Sequence, residues 1–108
     1  VETAKQVAVK CRVEINVQEA VHREHVPTDS HIEDLVEEAA AKLGYSHMRM
    51  NSGAGHDAMI FKRIWPAGMI FLPSHEGLTH HPDELVAFED MEKGANVLYE
   101  VIRMLDEE

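Results

Sequence analysis

The chain has 108 residues, 44% of them hydrophobic and 28% charged, values that suit one folded domain or part of one and exclude wholesale disorder. Twenty Asp and Glu against ten Lys and Arg give a net charge of -10, a balance that argues against nucleic acid as a partner. No run approaches the roughly 18 apolar residues of a membrane span and no signal-peptide pattern opens the chain, so no membrane partner and a cytoplasmic location are expected.

The chain starts at Val1 inside a helical pattern, with Ala4, Val7, Ala8 and Cys11 on one face and no cap before them, as if it began mid-protein. Cys11 is the single cysteine, which excludes an intramolecular disulfide and suits a reducing compartment; as a small apolar side chain it is expected to fill space. Val13, Ile15 and Val17 alternate with Glu14, Asn16 and Gln18 as in a half-buried strand. Val21 to Asp29 reads as a strand tail entering a hinge, and a domain boundary is expected near Pro27. Ser30 with Glu33 matches a capping box ahead of the stripe Ile32, Leu35, Val36, Ala39 and Leu43, which Gly44 ends.

A short strand is predicted over Ser46–Met50, then a glycine turn, then a helix from about Asp57 that Pro66 stops. Met69-Ile70-Phe71-Leu72, between Gly68 and Pro73, predicts a strand buried on both faces. Val97, Leu98, Val101, Ile102 and Leu105 define a closing helix. From Asp83 to Glu108 there are nine acids and two bases, so net -7 of the charge lies on this segment, read as a solvated helix face. Helices alternating with strands predict an α/β class of layered sheet and helices.

Two runs carry candidate chemistry. Gly53-Ala54-Gly55-His56-Asp57-Ala58 formally fits a dinucleotide fingerprint, but the strand before it is short and polar, Pro66 stops the helix after it, and Asp57 would face pyrophosphate with a carboxylate. Two readings stay open for it: a backbone nest that holds a carboxylate or oxyanion with His56 as donor, and an ordinary tight turn. His75, His80 and His81 share one loop with Glu76 and Glu84, yet H-x4-H-H matches no familiar tetrahedral spacing, so solvent-exposed imidazoles compete with metal ligation.

Taken together, Ser52-Gly53-Ala54-Gly55-His56-Asp57-Ala58, then Pro66 to Ser74, then Gly77-Leu78-Thr79-His80-His81-Pro82-Asp83-Glu84, closely resemble the C-terminal signature of the amidase, hydantoinase and carbamoylase family. That family includes N-carbamoyl-L-amino-acid hydrolases, allantoate amidohydrolases and beta-alanine synthases, within the dimetal aminoacylase and carboxypeptidase group. The resemblance spans essentially the whole chain. It implies that residues 1–26 are the last helix and strand of an α+β lid and dimerisation domain, and that 27–108 are the C-terminal part of a dimetal aminopeptidase-like catalytic domain. His80 falls on the family's metal ligand, with His81 the variable residue beside it. Pro82 and Glu84 would shape and orient that loop, and Ala54, Gly55 and His56 would meet the substrate's carboxylate end. Glu76 stands where the family usually has a small residue.

The implied reaction is hydrolysis of a C–N bond in an N-carbamoyl amino acid, allantoate or a related ureido acid, by hydroxide activated on a zinc or manganese pair. The remaining ligands and the catalytic glutamate would lie upstream, so the chain is expected to be a fragment that is inactive alone and that forms a homodimer or self-associates. The competing expectation is a non-catalytic interaction or oligomerisation fragment that adds Val13 to Val17 to the edge of another copy.

Overall fold

A computed structural model describes residues 1–20, 22 and 24–108, and among them every regular element is helical. In chain order these are α1 (Glu2–Cys11), α2 (Ser30–Lys42), α3 (Ala58–Phe61), a single 3-10 turn over His75–Gly77, and α4 (Phe88–Asp106). The α/β layered sheet expected from the sequence is therefore not what these residues form. Val13 to Val17, Ser46 to Met50 and Met69 to Leu72 carry no regular secondary structure, and none is laddered to a strand among the described residues. Alternation specifies which face of an extended segment is apolar; only an adjacent segment with free N–H and C=O groups makes it a strand. Val13, Ile15 and Val17 stay 53%, 41% and 47% exposed, so the predicted buried face covers nothing here. The strand tail expected from Val21 falls partly on Val21 and Arg23, outside the described residues.

Helix α2 forms where its stripe predicts, with one correction at its start. The cap is Asp29, not Ser30: its carboxylate accepts the N–H groups of His31 at 3.1 Å and Ile32 at 3.4 Å. Glu33, expected to complete a box with Ser30, instead takes the hydroxyl of Thr28. The other end closes as predicted. Gly44 adopts φ 72°, donating its N–H to Ala41 O while Tyr45 N–H reaches Ala40 O, two bonds that use the last carbonyls of the helix.

The small core lies between α2 and α4, where Leu35, Ala39, Ala40, Val97 and Val101 are buried and Val36, Leu43, Tyr45, Ile70 and Met104 pack around them. At the surface Lys42 Nζ to Glu100 Oε2 at 2.7 Å ties the same two helices, and His31 Nε2 to Glu108 Oε1 at 2.7 Å ties α2 to the residues just past α4. The lysine holds the Glu100 carboxyl below its ordinary range. Met69 to Leu72, expected inside a sheet, lies over this helix pair instead. Asp29 N–H donates to Ala67 O at 2.8 Å, and two glycines make room: a Cβ on Gly68 would stand 2.5 Å from Ile32 Cγ2, and one on Gly94 would stand 2.5 Å from Leu72 Cδ2.

Among the described residues α1 packs on no other helix, and Cys11, expected as filler, is exposed. The radius of gyration is 19.5 Å, against about 13 Å for a compact domain of this length, so much apolar surface stays uncovered. Phe88 is 88% exposed, Ile102 57% and Leu98 51%. No helix is long and apolar enough to cross a membrane among the described residues.

Candidate functional site

The glycine run is a turn between the irregular segment 46–50 and the short helix α3. Ala54 N–H donates to Ser52 Oγ at 3.2 Å, and the same oxygen lies 2.8 Å from His56 Nε2. A Cβ on Gly53 would meet nothing within 4 Å, so packing inside the chain does not explain the glycine, and the open face leaves room for a ligand. Gly53, Ala54, Gly55 and His56 form part of the wall of a cleft of about 790 Å³, with Met69 and Phe71 on its apolar side. The His56 ring meets Phe71 edge to face, with 5.6 Å between centroids.

Arg49 fixes the approach to this turn. Its guanidinium reaches three carboxylates of α2: Glu33 at 2.9 Å, Asp34 at 2.5 Å and Glu37 at 2.8 Å. The hydrogen bonds it donates to Asp34 and Glu37 push its pKa further up, so it remains a fixed cation strapping residues 46–50 along the helix. Across the cleft, Lys62 Nζ meets the capping carboxylate of Asp29 at 2.9 Å, and that bond holds Asp29 below its ordinary range. Sequence reading overlooked Ser52, Arg49, Lys62 and Phe71. The available signals were the four-residue spacing of Ser52 and His56, and three acids at 33, 34 and 37 on one helix face awaiting a cation.

The second run forms a loop pinned at its base, where His75 N–H donates to Leu85 O at 2.7 Å. His80 sits at φ 54°, a left-handed conformation that costs a non-glycine residue about 1–2 kcal/mol. Glu84 offsets that strain by accepting the His80 backbone N–H at 2.8 Å on Oε2. The adjacent imidazole is used within the loop: His81 Nδ1 accepts the Asp83 N–H at 3.2 Å. Pro82 lies between these two bonds, on the exposed side of the loop.

The fold brings the two runs together. The rings of His56 and His80 are 6.3 Å apart at an angle of 39°, although 24 positions separate them in sequence. Ala54, Gly55 and His56 line the cleft, whereas His80, Pro82 and Glu84 do not. Among the described residues no group of three or more His, Cys, Asp or Glu could hold a metal ion. The arrangement has room for one ligand of a metal centre and does not compose a metal site by itself.

With the glycine turn and His56 on the cleft wall and His80 beside that ring, the chain belongs to the peptidase family M20/M25/M40, whose model matches residues 2–104. Hydrolases of this family are generally dimetal-dependent. The chain is 37% identical over 101 residues to an N-carbamoyl-L-amino-acid amidohydrolase of Paenarthrobacter aurescens, covering 94% of this chain and 24% of that protein. It is 37% identical over 98 residues to a ureidoglycolate hydrolase of Arabidopsis thaliana, covering 90% of this chain and 21% of that one. The crystal structure of AtUAH in complex with glyoxylate matches it with a TM-score of 0.80 at 34% identity, over 99% of this chain and 26% of that one. The chain thus spans about a quarter of the length of these relatives.

Proposed function

We propose that residues 1–108 form part of the active site of an amidohydrolase that cleaves the C–N bond of an N-carbamoyl or ureido acid, such as allantoate. The observation that carries this reading is the pairing of His56 with His80 at 6.3 Å, with the His80 backbone held in a strained conformation by Glu84. Strain kept at a residue whose side chain makes no bond within its own loop points to a use for that side chain. His80 serves as one metal ligand, zinc or manganese being the candidates, and the other ligands and the general base come from outside this segment. Pro82 stiffens the loop and Glu84 aims the ligand through its backbone. The Gly55 N–H and the His56 ring receive the carboxylate end of the substrate on the cleft wall, and Ala54, whose own N–H is held by Ser52, shapes that wall beside them. Residues 1–26 belong to a lid domain and 27–108 to the catalytic domain, consistent with α1 packing on none of the helices that follow.

The test is a His56→Ala substitution in an enzyme-length protein that carries this segment. Metal content should be unchanged, while KM for N-carbamoyl amino acids should rise by roughly 10-fold to 100-fold, the equivalent of one lost charge-assisted hydrogen bond of about 1.5–3 kcal/mol. Loss of metal with unchanged KM would contradict the assignment.

A further inference from the structure

The Ser52 hydroxyl is the one side-chain partner of the His56 ring nitrogens among the described residues, at 2.8 Å from Nε2. It is an anchored partner, because the Ala54 N–H donates to the same oxygen at 3.2 Å and holds it across the turn. The ring itself is half-buried and backed by Phe71 at 5.6 Å. Two arrangements of protons satisfy the short contact. In one, His56 carries its proton on Nε2 and donates it to Ser52, so the hydroxyl oxygen accepts two N–H groups and leaves its own proton unused in the turn. In the other, Ser52 donates to Nε2 while its lone pair accepts the Ala54 N–H. The second uses every group at the contact once, places the O–H against the stronger base, and strengthens the donor through the amide bound to it.

We propose that Ser52 is a positioning residue that sets the tautomer of His56, donating to Nε2 so that the neutral imidazole carries its proton on Nδ1. Resting on the reading of His56 as the substrate-carboxylate donor, this assigns Nδ1–H as the donating atom. A histidine whose donor nitrogen is chosen by a fixed neighbour is ready to bind an anion without first exchanging a proton. Ser52 lines the same cleft and acts through the ring it holds, so its hydroxyl is an element of specificity built into the glycine turn.

The experiment is long-range proton–nitrogen NMR on the nitrogen-15-labelled full chain at about pH 8, where imidazole is neutral, with His56→Ala used to assign the ring. The wild-type spectrum should show the proton on Nδ1. Ser52→Ala should move it to Nε2, the form free histidine prefers, and Ser52→Thr should restore Nδ1. A proton on Nε2 in the wild-type chain, or on Nδ1 after Ser52→Ala, overturns the proposal. The wild-type spectrum decides the matter even if a variant fails to fold. Adding N-carbamoylglycine to an enzyme-length protein that carries this segment separates the two levels: a His56 ring protonated on Nδ1 but unmoved by that probe would uphold the role of Ser52 and count against His56 as a substrate donor.

Discussion

Gly68→Ala should destabilise the chain by about 1–2 kcal/mol through one contact. The φ of Gly68 lies outside the left-handed region, so alanine meets no backbone penalty and should gain about 0.4–1 kcal/mol by restricting the unfolded chain. Against this, the new Cβ would lie 2.5 Å from Ile32 Cγ2 and 3.3 Å from Ile32 Cβ. Isoleucine in a helix has one strongly preferred χ1, so the clash is relieved by moving residues 67–72 off α2 rather than by rotating Ile32. Overpacking of this kind costs about 1–3 kcal/mol, more than the entropic gain. Thermal unfolding followed by far-ultraviolet circular dichroism should show a midpoint lower by roughly 4–16 °C, at about 4–8 °C per kcal/mol for a chain of this size. In the double variant with Ile32→Ala the cost of alanine at 68 should vanish, a coupling of about 1 kcal/mol or more. A stabilised Gly68→Ala chain, or a cost that persists beside Ile32→Ala, would refute the close approach of this segment to α2.

Acid should loosen the start of α2. Asp29 is depressed chiefly by its hydrogen bond from Lys62, so the stability it contributes is present above the usual aspartate range and is lost as pH falls through its lowered value. Acid titration of helicity should therefore differ between the wild type and Asp29→Asn, and identical curves would dismiss the pair. Phe88, Leu98 and Ile102 leave apolar surface uncovered, so sedimentation at micromolar concentration should show dimers or larger species; a clean monomer would contradict this. The purified chain with added zinc or manganese should turn over neither N-carbamoyl amino acids nor allantoate, since it assembles no metal site among its described residues, and measurable hydrolysis would show that it needs no further ligands.

What was legible in the sequence divides along physical lines. The stripes of α2 and α4 were readable in part, because helical periodicity is local: Leu35, Ala39, Val97 and Val101 are buried, as is Ala40 outside the stripe, whereas Leu98, Ile102 and Leu105 of the α4 stripe stay exposed. The first half of α4 was missed: Ala87 at its start offers no side-chain cap, and the apolar stripe read from the sequence begins only at Val97. The strands were misassigned because sequence pattern is local while pairing is not, so the alternation of Val13 to Val17 and the continuous apolar run Met69 to Leu72 both occur without a ladder among the described residues. Both candidate runs could be found by composition and order. Their meeting could not, because it depends on the course of the chain over the 24 positions from His56 to His80, which local pattern does not give. The strap through Arg49 was hidden for the same reason, its three carboxylates being visible on α2 but their cation belonging to a segment whose course the pattern does not give.

The central claim, that His80 is the metal-binding histidine of this segment, is tested most directly by metal analysis of adjacent substitutions in an enzyme-length protein that carries it. His81 Nδ1 is engaged by the Asp83 N–H, whereas His80 is held by its backbone and leaves its ring free of bonds within the loop. His80→Ala should lower bound zinc or manganese and turnover together, and His81→Ala should leave both nearly unchanged. Metal lost with His81→Ala and retained with His80→Ala would contradict the account.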